Sequence, residues 1–246
     1  MKSSSTRKFI NSLRNSRFHY LICRVIEKFE MEGFTLSYSQ CGEDLILKTL
    51  FGKNKRHGTY ADIGCNNPIQ KSNTFKLYLK GWSGICVDGN ATLIKSFSKI
   101  RKRDICLNEI VSDGSREMIF YQDDINHELS SVDTLQGNEL KATYNSLKEI
   151  RIRSTTLAAI FDQHLGGGKI DLLCVDVEHH DLEVLKGNDF DRYRPEIICV
   201  EFDGAIGALK GSDLDIFLTA RNYEVAVVSF PNVYYRDVLT SPPITQ

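Results

Sequence analysis

Residues 60 to 68 read YADIGCNNP and residues 84 to 90 read GICVDGN, so Asp62 and Asp88 each stand where a short apolar run breaks into glycine or asparagine. Other runs end the same way: ICLNEIVS carries Asn108 and Glu109, DLLCVDVEHH carries Asp176, Glu178, His179 and His180, and IICVEFDG carries Glu201 and Asp203. A carboxylate held at a strand end can accept from ribose hydroxyls, receive an ammonium, take a proton from an alcohol or bind a hard cation. Singly, an acid there is a turn former or a helix cap. Asp62, Asp88, Glu109, Asp176, Glu178, Glu201 and Asp203 together make a site if one sheet edge collects them.

The pattern around these residues supplies such an edge. TYADIG reads as a strand, SNTFKLYLKG as a helix stopping at Gly81, GICVDG as a strand and ATLIKSFSKIRK as a helix. ICLNEIVS and EMIFYQ read as two more strands, and residues 123 to 148 as a polar insertion or long loop. IRIRSTTLAAIFDQHL gives a strand and a helix, KIDLLCVDVE a buried strand, HDLEVLKG a short helix, EIICVEFDG a strand and SDLDIFLTARN a helix. YEVAVVSF and NVYYRDV close the chain as an antiparallel hairpin. The alternation predicts an α/β, Rossmann-like, mostly parallel sheet with helices on both faces and that hairpin at its C-terminal end. In such sheets the ligand lies beyond the carboxyl ends of the strands, near the switch in strand order.

Composition narrows the classes. A chain of 246 residues, 41% hydrophobic and 26% charged with a formal net charge of -1, is an ordinary globular protein whose charge does not suit nucleic acid. The seven cysteines form no CxxC pair, and four lie in apolar runs, which suits a reducing, cytoplasmic compartment. No apolar stretch reaches the roughly 18 to 20 residues of a membrane span.

Residues 1 to 36 read as a basic, partly helical appendage to a domain at 37 to 246. Lys2, Arg7, Lys8, Arg14, Arg17, Arg24 and Lys28 meet almost no acid before Glu27, and Phe9, Leu13, Tyr20, Leu21 and Ile22 recur at loosely helical spacing. Two readings compete: a helix packed on the domain with a solvated basic face, or peripheral contact with an acidic membrane.

The strand-end acids fit a nucleoside. Asp88, ending the second strand, is placed to accept from both ribose hydroxyls. A dinucleotide also needs a phosphate cradle, and the first turn, GCNNPIQ, has one glycine rather than GxGxxG. S-adenosyl-L-methionine has adenosine, no phosphate, and an ammonium that Asp62 can receive, while Gly64 lets backbone approach the ligand and Asn66 lies in the same turn.

The stretches SQCGEDLILKTLF (39–51), GTYADIGCNNPIQKSNTFKLYLKGWSGICVDGN (58–90), IDLLCVDVEHHDLEVLKG (170–187) and PEIICVEF resemble, in that order, the FkbM-type methyltransferase family. The resemblance implies a class I S-adenosylmethionine-dependent O-methyltransferase acting on a hydroxyl of a saccharide or glycan precursor. A polyketide or other small natural product is the alternative acceptor, and a catalytically inactive scaffold in glycan assembly the alternative role. The family has glycine after DVE, where this chain has His179, and proline after the second-strand acid, where it has Gly89. If the backbone at 179 requires positive φ, histidine there is strained.

Methyl transfer needs the acceptor oxygen held in line and its proton removed. Asp176, Glu178, His179 and His180 are the candidates, with Glu178 or an adjacent histidine favoured. Asp176, Glu178, Glu201 and Asp203 can alternatively hold a divalent metal. Gln40, Glu43 and Asp44 are expected on a segment folding over the cofactor or at a helix start, Asn73 and Thr74 at the cavity or the first helix, and Asn108 and Glu109 near adenine. The 123–148 stretch, with Tyr121, His127 and Tyr144, is expected to receive the acceptor.

Overall fold

Tyr60 and Ala61 are adjacent and both inaccessible to solvent, yet they belong to different hydrophobic cores. Strand side chains alternate between faces, so a strand buried on both sides feeds two cores. In this computed structural model, which describes residues 16–28, 35–52, 55–123, 130, 132, 147–202 and 204–240, strands β1 (Thr59–Ile63), β2 (Ser83–Val87), β7 (Leu172–Val175) and β8 (Ile197–Glu201) all behave this way. Ala61, Ile85, Leu173 and Ile198 face one core, and Tyr60, Cys86, Leu172 and Cys199 face the other.

Helix α1 (Arg17–Lys28), α2 (Glu43–Leu50), α3 (Phe75–Leu79) and α4 (Ala91–Ile100) belong to the second core through Cys23, Leu47, Phe75 and Phe97. Helix α5 (Leu157–His164), α6 (Asp181–Lys186), α7 (Ile206–Leu209) and α8 (Asp213–Thr219) cover the first through Phe161, Leu185, Leu209 and Leu218. Each fully buried aliphatic side chain contributes on the order of 1.5–3 kcal/mol. Helices α4, α5 and α8 start on side-chain caps: Asn90, Thr156 and Ser212 accept from Thr92, Ala159 and Asp215 backbone N–H groups.

With β3 (Ile105–Leu107), β9 (Tyr223–Ser229) and β10 (Asn232–Asp237), the main sheet has the order β3-β2-β1-β7-β8-β10-β9. The first five are parallel, and β10 runs antiparallel to both β8 and β9, as the terminal hairpin predicts. The order reverses between β1 and β7, so the crevice lies above Asp62 and Asp176.

One expected strand divides. ICLNEIVS is β3 plus β4 (Ile110–Val111), and β4 leaves the main sheet to pair in parallel with β6 (Leu147–Thr155). β6 also pairs antiparallel with β5 (Glu117–Asp123), giving a separate three-stranded sheet. Asn108 and Glu109 occupy the break. All seven cysteines are free thiols. Among the described residues no helix is long and apolar enough to cross a membrane.

Candidate active site

A cavity of about 420 Å³ opens at the carboxyl ends of the parallel strands, within the size range of small-ligand sites. Asp62 and Gly64 reach it from β1, Asp88 and Gly89 from β2, Glu109 and Ile110 from the β3–β4 break, and Asp176, Glu178 and His180 from the loop after β7. Glu201 ends β8 there and Asn232 begins β10 beside it.

The β1–α3 turn is built around two carbonyls. Gly64 and Cys65 donate backbone N–H groups to the Val87 carbonyl at 2.9 and 3.1 Å, which fixes the turn against β2. Gly64 has φ +78°, and a Cβ there would lie 1.8 Å from the Asp176 carbonyl oxygen. The close approach that demands glycine is therefore to the β7 loop, with the ligand space beyond it. Asn66, at φ 48°, donates its N–H to Asp88 Oδ2 at 3.0 Å. Asp88 Oδ1 accepts from the Asn90 N–H at 2.7 Å. Asp88 thus braces its turn and also lines the cavity: a carboxylate has about four acceptor positions, and these two bonds orient its edge.

Asp62 is buried and accepts from Thr74 Oγ1 at 2.5 Å. Burial raises its pKa to about 6, against the opposing pull of Arg101 and the Thr74 hydrogen bond. Arg101 is itself inaccessible, with Nε on Asp104 Oδ2 at 2.8 Å, Nη1 on Ser72 Oγ at 3.1 Å, and Nη2 on Tyr60 Oη at 2.9 Å and Thr74 Oγ1 at 2.6 Å. Sequence reading missed this group, because a basic residue ending a helix reads as a solvated C-terminus. Asn73 lines the cavity, and Thr74 is the N-cap of α3 as well as the Asp62 partner.

The SQCGED segment does border the cavity. Gln40 is exposed at its rim and Glu43 is buried in its wall, accepting from Cys41 N–H at 2.7 Å and Asn232 Nδ2 at 3.2 Å. The helix N-cap is Gly42, so Gln40 does not cap α2. Asp44 is turned away, accepting from Tyr38 N–H and from the Ser37 and Ser39 hydroxyls.

The loop after β7 is left-handed at two successive residues, Glu178 at φ 53° and His179 at φ 65°. This is the strained backbone that the missing family glycine suggested, and it sends the two histidines apart. His179 is exposed and outside the cavity lining; His180 lines it, with Nε2 2.9 Å from Ser112 Oγ. Of the two candidate histidines, only His180 therefore borders the cavity. Ser112 also receives Arg116 Nη2 at 3.0 Å and donates to Asp113 at 3.1 Å, so its oxygen is positioned as acceptor for a protonated His180 Nε2.

Asp176, Glu178 and Glu201 each place a carboxylate oxygen within 4.8 Å of the others, a donor set a hard cation would accept. Asp203, His127 and Tyr144 lie outside the described residues. Two expected contacts fall elsewhere. Asn108 spends its amide on the Asp88 and Gly89 carbonyls at 2.9 and 2.8 Å and is not in the lining. Tyr121 is buried in β5, whereas its neighbour Phe120 reaches the cavity with Ile110 and Val111 to form an apolar wall near Glu109. Phe120, Lys71, Asn232, Ser112 and Arg101 carry no sequence signal of their own; only pairing across long separations brings them here.

The crevice at the switch point of this doubly wound sheet is lined by acids. The chain belongs to the FkbM methyltransferase domain family, whose model matches residues 62–225, and so is an S-adenosylmethionine-dependent methyltransferase by family. Among solved structures it is similar to a TehB-like SAM-dependent methyltransferase from Corynebacterium glutamicum, at 10% identity and a TM-score of 0.41 over 90% of this chain and 100% of that one. A search of curated proteins finds no match.

Proposed function

We propose that this chain transfers a methyl group from S-adenosylmethionine to a hydroxyl of an uncharged saccharide or glycan precursor. The supporting observation is charge: among the described residues, seven carboxylates (Glu43, Asp62, Asp88, Glu109, Asp176, Glu178 and Glu201) line the cavity and Lys71 is the one lysine or arginine. A pyrophosphate would meet repulsion there, since two like charges about 4 Å apart interact by about 4 kcal/mol at an effective dielectric near 20. A ligand with a sulfonium and an ammonium is attracted instead.

Bound S-adenosylmethionine supplies an electrophilic methyl. The chain's own residues do the rest. Asp88 takes the ribose hydroxyls, Asp62 faces the ammonium, and Ile110, Val111 and Phe120 give the base an apolar wall. Glu178 accepts the proton of the acceptor hydroxyl, and His180, oriented by Ser112, stands beside it in the lining. The same acidic lining disfavours phosphorylated or carboxylated acceptors. His179, the residue that motivated a non-catalytic role, sits outside the cavity lining.

Calorimetric titration with S-adenosylmethionine and S-adenosylhomocysteine tests the cofactor, and labelled-methyl transfer to neutral glycosides against sugar phosphates tests the acceptor. Saturable one-to-one binding, weakened by about 100-fold or more in Asp88→Ala, is expected for a lost charged hydrogen-bonding partner. Folded protein that binds neither compound overturns the reading, and preference for sugar phosphates overturns the acceptor class.

A further inference from the structure

Helix α1 is apolar on two opposite sides. Its inner side packs on the domain: Cys23 is buried, the Tyr20 ring lies 6.3 Å from Phe75 and 6.1 Å from Tyr78, and Glu27 pairs with Lys76 at 3.1 Å. A helix merely packed this way should turn polar side chains outward. Here Phe18 is 70% exposed, Leu21 54% and Val25 56%, with Ile22 and Ile26 also exposed. The spacing of three and four residues aligns them as one stripe. No other described helix exposes five large apolar side chains.

Among the described residues of the helix, the exposed charges beside the stripe are of one sign. Arg17 and Arg24 are exposed, and the only acid in the first 28 residues, Glu27, is turned inward to Lys76. A second copy of the chain set against this stripe would oppose arginine to arginine. Residues 1 to 15, with Lys2, Arg7, Lys8 and Arg14 and no acid, would bring the same sign to it. A surface that is apolar inside and negative outside complements both features. We propose that α1 docks this protein peripherally on an anionic lipid bilayer, its Phe18–Val25 stripe entering the headgroup boundary and Arg17 and Arg24 meeting lipid phosphates. This rests on neither the cofactor nor the acceptor assignment.

Flotation of the full chain with vesicles tests it, using phosphatidylcholine alone and phosphatidylcholine mixed with phosphatidylserine. The chain should float with the mixed vesicles, less with the neutral ones, and less in high salt. The combined variant Phe18→Ser, Leu21→Ser, Val25→Ser should lose on the order of tenfold in bound fraction on the mixed vesicles, and Arg17→Glu, Arg24→Glu a similar amount. These side chains are exposed, so both variants should keep the wild-type unfolding midpoint. Wild-type protein that stays with the soluble fraction, or binding indifferent to the serine variant, overturns the proposal. A dimer in light scattering that the serine variant dissociates, without lipid binding, assigns the stripe to a second copy. Lipid binding that emerges only after residues 2 to 15 are deleted assigns it to the chain's own N-terminal segment.

Discussion

Asp62 and Arg101, both buried, are joined through one hydroxyl: Thr74 Oγ1 donates to the carboxylate at 2.5 Å and accepts from the guanidinium at 2.6 Å. The acid that faces the cavity is thereby tied to a cation beneath the β1–α3 turn.

Arg101→Gln should destabilise the fold by about 3–5 kcal/mol, because it leaves the Asp104 carboxylate buried without its countercharge. Arg101→Lys should not rescue it, since one ammonium cannot reach Asp104, Ser72, Tyr60 and Thr74 together. Urea unfolding measures both, and wild-type stability in the lysine variant would remove the hub from the account.

The raised pKa of Asp62, about 6, sets a pH window. In ligand-free protein the native state holds this proton longer than the unfolded chain does. The associated stability is therefore full below about pH 4 and lost as pH rises through 6, at most about 3 kcal/mol. A cationic ligand favours the ionised form, so cofactor affinity should rise with pH up to about 6 and then level off. Wild type should lose stability relative to Asp62→Asn across that window; parallel curves for the two proteins would contradict the assignment.

Glu178→Gln should bind S-adenosylhomocysteine with little change and slow methyl transfer by about 100-fold to 10,000-fold, the usual contribution of a general base. Dialysis of wild type against EDTA should leave turnover unchanged. Turnover lost to EDTA and restored by magnesium would instead assign Asp176, Glu178 and Glu201 to a cation.

His179→Gly should stabilise the protein. A non-glycine residue at φ 65° costs about 1–2 kcal/mol, and the added freedom of glycine in the unfolded chain returns about half of that. A net gain of about 0.5–1 kcal/mol corresponds to a rise of about 1–4 °C in Tm for a chain of this size. Calorimetric melting decides it, and an unchanged or lower Tm would mean the side chain makes contacts worth as much as the strain.

The strand-end acids were legible because each closes a short apolar run, and a run plus its terminator is local information. Asp62, Asp88, Glu109, Asp176, Glu178 and Glu201 are accordingly gathered at one edge. What was not legible depends on distant partners or on a phase of one residue. β4 leaves the sheet because Ile110 and Val111 pair with Ser154 and Thr155, more than forty positions on. Glu43 meets Asn232 across 189 positions. That His180 and not His179 borders the cavity turns on two left-handed residues in succession, which no propensity scale encodes.

The β5–β6 ladder pairs Asp123 with Leu147. Residues 124 to 146 therefore enter and leave at neighbouring points of one hairpin, beyond seven cross-strand pairs that hold Phe120 in register with Ile150. Doubling the length of a segment closed in this way adds only about 0.6 kcal/mol of closure entropy. Evolution, or an engineer, can exchange that segment for another and retain the carboxylates of β1 and β2, so the two parts of the chain are free to diverge at different rates.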